Sequence, residues 1–410
     1  MEFKLLYYNK LNIMKKKSFL KRLQLQSNFK NINTKYLKIT VIIINLAIII
    51  TTLCCIYKND LNEYFKDIRS RSRNNNKLNK NDEQYYKYGS PLKNIVDEKN
   101  RILNVAFIIY PFTDVEKHKI YKEAKKKGMY FIGMSSYINF PCQTKNKYCI
   151  THDKNNISWT HNYFDLTSGW CHCFRDPNTC IPESFPKRLI SESDFIRYDG
   201  YNYKNLNHKK KEYDFIYICL PDNDKCENGW QSEGRNWTLA KKCIDIMCKK
   251  YKMKGLLIGR INCELPPSCH TQKLIDTTGF LDYHKFIKQY QRCKFIFVPN
   301  IYDASPRVLT EALCHNLPCL VNYNIVGGWK YVNKKTGEFF TNEIDFEKAL
   351  QTLKTNMYNN KYSPREYFIN NHGPKYEGKE LIKFIKEIIP DYKEKLNYNI
   401  DEIEYLQPVV

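Results

Sequence analysis

The sequence lacks the short motifs that mark common zinc sites and nucleic-acid-binding modules. None of its 16 cysteines forms a C-x2-C pair, the spacing with which tetrahedral zinc sites usually begin. No RNA-recognition or zinc-finger signature accompanies the formal net charge of +23, and charge alone does not identify a nucleic-acid partner. We therefore predict neither a metal cofactor nor nucleic-acid binding.

Apolar residues are not scarce. They make up 42% of the 410 residues, and aromatic residues make up 14%, which excludes a disordered protein and allows two core-forming domains. Residues 1–38 hold ten Lys or Arg against one acid, Glu2, so this tail supplies +9 of the charge. The remaining +14 is spread over lysines that we interpret as a solvated surface.

One segment has no charged side chain at all. The nineteen residues Ile39 to Tyr57 read ITVIIINLAIIITTLCCIY, and a helix of roughly 20 apolar residues spans a bilayer. A cleaved signal peptide is the alternative, but its apolar part covers only about 7 to 15 residues after a short basic region. We expect a transmembrane anchor at 39–57, between a cytosolic basic tail at 1–38 and a flexible stem at 58–99. The rest would lie in the lumen of the endoplasmic reticulum or Golgi.

The cysteines agree with a lumenal location. Fourteen of the 16 follow the apolar segment, and cysteines in an oxidising lumen form disulfide bonds. Sequons at Asn156 and Asn236 predict a glycoprotein. Spacing alone does not determine pairing, but three short loops would suit bridges: Cys142–Cys149, Cys171 or Cys173 with Cys180, and Cys219–Cys226.

From residue 100 onward, apolar runs alternate with helical patterns. RILNVAFIIY (101–110), a lysine-rich helix ending at Lys127 and MYFIGM (129–134) form one strand-helix-strand unit, and a longer alternation begins near Tyr213. This pattern is typical of doubly wound parallel sheets, whose ligands bind outside the carboxyl ends of the strands. We predict an α/β fold with Rossmann-like domains at 100–207 and 208–375. A C-terminal helix and tail at 376–410 would pack back across them.

The segment Phe295–Tyr331, FIFVPNIYDASPRVLTEALCHNLPCLVNYNIVGGWKY, contains a strand, a helix, a second strand and a glycine pair. Ser305 is a good helix N-cap, and Pro306 suits the first helical position. Helical periodicity points Glu311 away from the apolar stripe, toward a cleft or water. The helix N-terminus and Arg307 would favour a phosphate group.

This segment resembles the signature of GT-B glycosyltransferases of family 4, in which two acids are separated by seven residues. Here the acids are Asp303 and Glu311, with Asp303 in place of the usual glutamate. The resemblance implies a GT-B fold, a nucleotide-sugar donor, no metal, retention of anomeric configuration, and a glycan, glycoprotein or glycolipid acceptor. Glu311 would bind the ribose and Asp303 the donor sugar. The resemblance also implies further donor-binding residues around the diphosphate: Ser305, Arg307, Val308, Arg235, Lys241 and the catalytic Arg260.

Other candidates remain open. Asp222 and Asp224 follow a strand and could hold a metal ion, as in GT-A transferases, although both suit a surface turn. On the acceptor side, the predicted domain offers histidines, acids and an aromatic segment, with the ordinary structural role as the alternative: His152, His161, His172, Glu192, Asp194 and 159–170. A non-catalytic sugar- or nucleotide-binding membrane protein is a further alternative, and so is a basic protein that binds polyanions.

Overall fold

The computed structural model describes residues 91–97, 99, 101–112, 114–136, 140–141, 162–196, 211–222, 226, 229–261, 263–398 and 403–408, which all belong to one compact unit, Leu78–Val410. Within these ranges no helix has the length and apolar character needed to cross a bilayer. The predicted anchor at 39–57 lies outside the described residues, as do the tail at 1–38 and most of the predicted stem.

The described strands form two sheets. In chain order they are β1 (Leu92–Asp97), β2 (Ile102–Ile108), β3 (Tyr130–Met134), β4 (Trp170–Cys171), β5 (Lys187–Arg188), β6 (Tyr213–Ile218), β7 (Gly255–Ile258), β8 (Ile275–Thr278), β9 (Cys293–Val298), β10 (Cys319–Asn322), β11 (Gly337–Phe340) and β12 (Ile403–Pro408). We call the part around β1 to β5 and β12 the first lobe, and the part around β6 to β11 the second lobe.

Helices connect and cover these strands. In chain order they are α1 (Val115–Lys126), α2 (Tyr163–Leu166), α3 (Trp230–Gly234), α4 (Trp237–Tyr251), α5 (Pro267–His270), α6 (Tyr283–Tyr290), α7 (Arg307–Cys314), α8 (Glu343–Tyr358), α9 (Pro364–Asn371), α10 (Pro374–Ile388) and α11 (Tyr392–Lys395). The apolar stripe of α4 shows how they pack: Leu239, Cys243 and Met247 recur at helical spacing and are buried against the second sheet.

The first lobe has a mixed sheet of order β12-β1-β2-β3-β4-β5. Strands β2 to β5 are parallel, whereas β1 is antiparallel to both β2 and β12. The prediction of a flexible stem through residue 99 is wrong for 92–97, because LKNIVD is buried along its whole length between two neighbouring strands. The antiparallel edge also departs from the predicted parallel sheet.

The second lobe has a fully parallel sheet of order β8-β7-β6-β9-β10-β11. Numbered within the lobe, this is the order 3-2-1-4-5-6 of a Rossmann fold, in which the direction of winding reverses between the first and fourth strands. The short buried runs of β6 and β9, YDFIYI and CKFIFV, suit strands covered on both faces. The switch point therefore lies between β6 and β9.

The chain returns to the first lobe after α9. Leu381, Phe384 and Ile385 on α10 belong to the same apolar cluster as Leu103 and Phe107 of β2. Asn397 and Asn104 then exchange amide hydrogen bonds at 3.0 and 3.1 Å. β12 completes the first sheet, so the predicted C-terminal helix and tail is a structural part of that lobe.

Trp170 fills the centre of the first lobe. Its indole is fully buried, donates to Ser135 Oγ at 2.9 Å and packs against Phe140. A Cβ placed on Gly133 would lie 2.1 Å from the ring, so the neighbouring strand needs glycine there. Of the two roles open to this aromatic segment, Trp170 therefore has the core role.

The two disulfides that the structure describes do not join cysteines that lie close together in the sequence, contrary to the prediction from spacing. Cys226 pairs with Cys263, and Cys248 pairs with Cys269. The predicted Cys219–Cys226 pair is wrong: the loops after β6 and β7 lie side by side, which brings Cys226 to Cys263, while Cys219 remains a buried thiol. Cys171 and Cys173 are free thiols as well, so neither pairs with Cys180, and residues 142 and 149 lie outside the described part.

Candidate functional site

The loop after β9 leaves the switch point of the second lobe. It runs from Val298 through Asp303 to the start of α7. Ligands of doubly wound sheets bind in the crevice outside the carboxyl ends of the strands at such a point. The surroundings of this loop therefore decide which predicted residues share a site.

Asp303 on this loop forms an ion pair with Arg235, which directly follows α3. Arg235 Nη1 lies 3.3 Å from Asp303 Oδ2, and Asn300 Nδ2 donates to the same oxygen at 3.0 Å. The side chain of Arg235 is 26% exposed and that of Asp303 is 11% exposed. Two predicted site residues from separate loops are thus held together where a ligand can reach them.

Two glycines let the loop after β10 approach this pair. Gly327 N–H donates to the carbonyl oxygen of Asp303 at 2.8 Å. A Cβ on Gly327 would lie 1.9 Å from the carbonyl oxygen of Ala304, and one on Gly328, which has φ +80°, would lie 2.3 Å from Pro306. The predicted glycine pair therefore permits close contact between the two loops.

The start of α7 differs from the prediction. The helix begins at Arg307 with Pro306 in the cap position, so Ser305 is not its N-cap. Ser305 Oγ instead accepts a hydrogen bond from Ser193 N–H of the first lobe at 2.8 Å, because the lobes meet here. The amide of Arg307 donates to the carbonyl of Ser305 at 2.9 Å, which removes one of the amides expected to bind a diphosphate.

The side chain of Arg307 remains accessible. It is 59% exposed, and its Nη1 lies 3.6 Å from Glu192 Oε1. Glu192 also forms an ion pair with Lys93. An exposed pair at this distance contributes little to stability, so the guanidinium of Arg307 can exchange Glu192 for a phosphate at small cost.

Glu311 is buried rather than open to a cleft or water. Only 6% of its surface is exposed, because Tyr290 of α6 covers this side of α7. The Tyr290 hydroxyl lies 3.2 Å from Glu311 Oε2 and 3.0 Å from the carbonyl oxygen of Val308, so these two acceptors share its single hydrogen. Burial raises the pKa of Glu311 to about 7, against the opposing effect of Arg307. The predicted exposure is therefore wrong, and the carboxyl titrates near neutral pH.

Arg260 does not face the crevice. It is fully buried, and its guanidinium contacts Cys219 Sγ and lies 3.2 Å from Ser232 Oγ and 4.9 Å from the centre of the Trp237 ring. The sequence predicts that Arg260 contacts the leaving diphosphate. Its side chain is not placed to do so, because the core of the second lobe encloses it. Lys241 Nζ lies 5.9 Å from the Trp237 ring on α4.

Asp222 caps α3. Its two oxygens accept hydrogen bonds from the amides of Gln231 and Ser232 at 2.6 and 2.7 Å. Burial acts to raise the pKa of Asp222, but these amides outweigh it and hold the pKa below its ordinary value. Asp224 lies outside the described residues. Both oxygens of Asp222 thus already have a structural partner.

His172 lies just after β4 in the first lobe. It is 5% exposed and stacks on Phe174 with the ring centres 6.2 Å apart. Burial, with the nearby charges of Lys330 and Lys187, lowers the pKa of His172 to about 4, so the ring is neutral near pH 7. His152 and His161, the other candidates, lie outside the described residues.

A second charged cluster seals the lobe interface, and the sequence pattern does not identify it. Lys330 Nζ lies 2.7 Å from Asp194 Oδ2 and 3.2 Å from Glu377 Oε1. Tyr331 donates to Asp194 Oδ1 at 2.7 Å, and His372 Nδ1 lies 3.1 Å from Glu377. The donor atoms of Asp194, His372 and Glu377 are close enough to hold a metal ion, but the Lys330 ammonium occupies the position between the two acids.

A cavity of about 490 Å³ opens between the lobes. Its walls come from residues 174–179 of the first lobe and from the loops after β9 and β10 of the second lobe. Tyr302, one of the lining residues, directly precedes Asp303. The cavity therefore has the size of a small-molecule site, and the loop that carries Asp303 forms part of its wall.

Comparisons with known proteins identify similar folds only. No known protein-family model matches the sequence, and no curated protein matches it. Three of the similar solved structures are glycosyltransferases: TarM of S. aureus (TM-score 0.48, 12% identity, covering 74% of this chain and 57% of TarM), a glycosyltransferase from Rickettsia africae (0.48, 13%, 70% and 77%), and the pneumococcal O-GlcNAc transferase GtfA in complex with UDP and GlcNAc (0.45, 12%, 70% and 57%).

This chain thus spans little more than half the length of TarM and of GtfA. With TM-scores below 0.5 and identities of 12 to 13%, these likenesses decide nothing about the activity or substrate of this chain. A function for this chain therefore has to be inferred from the residues of the site.

Proposed function

We propose that this chain is a glycosyltransferase that moves a sugar from a nucleotide-sugar donor to a glycan, glycoprotein or glycolipid acceptor. One observation carries the proposal: the Asp303–Arg235 pair lies at the carboxyl end of β9, next to the switch point of a Rossmann sheet, and Glu311 follows on the adjoining helix. The seven residues between the two acids are the spacing on which the resemblance to family 4 rests.

The charges fit the chemistry. Cleaving a sugar from a nucleoside diphosphate builds positive charge at the anomeric carbon and negative charge on the diphosphate, and fixed groups of opposite sign lower the barrier. Asp303 would face the sugar, while Arg235 and the accessible Arg307 would face the diphosphate. No metal is needed for this division of charge, and Asp222 already serves as a helix cap.

Glu311 would accept hydrogen bonds from the ribose hydroxyls. Only the ionised carboxylate has all its lone pairs available for such bonds. Because burial raises the pKa of Glu311 to about 7, donor binding should strengthen as pH rises through neutrality. Tyr290 would hold the carboxyl in place through its hydrogen bond to Oε2.

Three finer points belong to the same proposal. Retention of anomeric configuration rests on the resemblance alone. A single membrane span at 39–57 and a lumenal active part rest on the uncharged segment, the sequons and the cysteines of the sequence. The disulfides Cys226–Cys263 and Cys248–Cys269 fit an oxidising compartment.

The test is donor hydrolysis by the full-length protein. Incubation with a panel of UDP- and GDP-sugars should release sugar from one of them, with or without chelator, and Asp303→Asn should abolish most of that release. Glu347→Gln, on the exposed side of α8, serves as the matched control and should be unaffected. Complete absence of hydrolysis would contradict the proposal, and loss with chelator would favour the metal-dependent alternative.

A non-catalytic nucleotide- or sugar-binding protein is the second candidate. The burial of Arg260 favours it, since this removes one cation expected at the leaving group. The same experiment separates the two: a binding protein would retain a donor or its nucleotide in equilibrium dialysis without releasing sugar.

A further inference from the structure

The cavity between the lobes is chemically distinct from the Asp303–Arg235 pair. Its described lining residues include three aromatic side chains, Phe174, Tyr302 and Tyr323, beside Asp176 and Asn324. Asp303, Arg235 and Glu311 are not among those lining residues. The cavity therefore borders the proposed donor site without containing the acids assigned to the donor.

Aromatic rings hold Arg175 in the cavity wall. Its Cζ lies 4.3 Å from the centre of the Tyr323 ring and 4.9 Å from that of Trp329, and Nη2 donates to the carbonyl oxygen of Tyr323 at 2.8 Å. A guanidinium stacked on rings in this way loses little further freedom when it binds a ligand. Arg175 thus links a first-lobe loop to the loop after β10 in a preorganised position.

The charges of the wall balance. Arg175 and Asp176 are the charged members among its described lining residues, and they are adjacent in the chain. An anionic group would meet the carboxylate of Asp176 as well as the guanidinium of Arg175. Aromatic surface combined with a few donors and acceptors suits a ligand that has apolar faces and polar edges but no net charge.

We propose that this cavity binds a neutral sugar ring of the acceptor, with Tyr323 as its platform and Asp176 as its hydroxyl acceptor. The inference rests on the proposed glycosyl transfer and names the class of acceptor for it. Arg175 covers one face of the Tyr323 ring, but Tyr323 is still 49% exposed and so offers ring surface to a ligand. Tyr302 directly precedes Asp303, so part of the cavity wall and the proposed donor-side acid belong to the same loop.

The test measures sugar binding directly. Saturation-transfer NMR on the full-length protein, with methyl glycosides of glucose, galactose, mannose and N-acetylglucosamine as probes, should detect binding of at least one. Tyr323→Ala and Asp176→Asn should each weaken that binding at least tenfold. Tyr358→Ala removes a tyrosine that is 88% exposed on α8 and should leave binding unchanged.

Two controls keep this inference separate from the proposed function. UDP and GDP binding is measured on the same variants, and Asp176→Asn should keep it, because Asp176 does not touch the donor-side pair. Normal nucleotide binding with no methyl glycoside bound, or with glycoside binding that Asp176→Asn leaves intact, would overturn the acceptor site alone. If the protein binds glycerol phosphate more tightly than every methyl glycoside, the proposal that the cavity takes a neutral ligand is overturned. If the wild-type protein binds neither a nucleotide nor a glycoside, the proposed function is overturned.

Discussion

Two charged groups near the crevice share the same chemistry but differ in their access to solvent. In the Asp303–Arg235 pair, the arginine side chain is 26% exposed and the aspartate side chain is 11% exposed. In the Lys330 cluster, the lysine side chain is 9% exposed, and Asp194 and Glu377 are buried around it. The first pair can exchange partners with a ligand, whereas the second has its charges neutralised internally.

The Lys330 cluster also joins three separate parts of the chain. Asp194 belongs to the first lobe, Lys330 to the second, and Glu377 to the helix that returns to the first lobe. Although burial opposes its charge, Asp194 and Glu377 raise the pKa of Lys330, so the ammonium form persists. This difference predicts that changes at the Lys330 cluster affect folding, while changes at the Asp303 pair affect activity.

The largest effect is expected for Lys330→Met. The substitution leaves two buried carboxylates without their cation, and breaking a buried pair in this way costs about 3–5 kcal/mol. Urea unfolding of the full-length protein should show this loss. Lys242→Met, which removes an exposed ion pair with Glu343, should cost much less, because exposed ion pairs contribute little to stability. If both variants lose the same free energy of unfolding, the proposed difference between the buried Lys330 cluster and exposed ion pairs is wrong.

Asp303→Asn should have the opposite profile. The side chain keeps its size and can still accept from Asn300, so stability should change by less than about 1 kcal/mol. Donor hydrolysis should fall by about 10²- to 10³-fold, or about 2.7–4 kcal/mol, because a fixed charge beside the developing charge is lost. If kinetics show full activity while unfolding shows a large loss, Asp303 is structural.

Glu311→Gln tests the buried acid through pH. The folded-state pKa of Glu311 is raised from about 4.5 to about 7, so its ionisation destabilises the fold. This penalty is absent below pH 4.5, grows between pH 4.5 and 7, and reaches about 3 kcal/mol above that range. The Gln variant should therefore gain stability relative to wild type between pH 4.5 and pH 8 in urea unfolding, while its donor affinity loses the pH dependence of the wild type.

A pH-independent stability difference would mean that the Glu311 carboxyl is not ionised against a burial penalty. Glu347→Gln again provides the control, because Glu347 lies on an exposed surface and its pKa is lowered through hydrogen bonds from Lys250 and Tyr251. That control should not gain stability between pH 4.5 and pH 8.

Arg307→Ala should have the smallest effect on the fold. It breaks an exposed 3.6 Å pair with Glu192, for which we expect a loss of no more than about 1 kcal/mol. Donor KM should rise several-fold with little change in kcat if the guanidinium binds phosphate equally in ground and transition states. An unchanged KM would leave Arg235 as the proposed diphosphate partner.

The sequence anticipates the parts that depend on local pattern. The strand-helix alternation predicts the second lobe, since buried strands and amphipathic helices have distinct periods. The acid spacing directs attention to Asp303, and the loop geometry brings Arg235 to it. Gly327 and Gly328 are recognisable for a similar reason, because the close approach of two loops leaves no room for a Cβ.

The sequence does not anticipate features decided by distant packing. Helical periodicity points Glu311 away from the apolar stripe of α7, but it cannot show that Tyr290 of α6 covers that side of the helix. Arg260 ends a strand in the expected place, yet contacts with Cys219 and Trp237 draw it into the core. Strand β1 sits in a polar segment, and its burial depends on pairing with the far C-terminal strand. Lys330 lies between Trp329 and Tyr331, directly after the glycine pair, but nothing in that local pattern shows that it meets Asp194 and Glu377.

The most direct test of the central claim is nucleotide binding to the full-length protein by calorimetry at pH 8, where Glu311 is ionised. We expect that UDP or GDP binds, that Glu311→Ala weakens this binding at least tenfold, and that Lys242→Met leaves it unchanged. Binding of neither nucleotide, or equal affinity in the wild type and Glu311→Ala, would contradict a nucleoside site on α7.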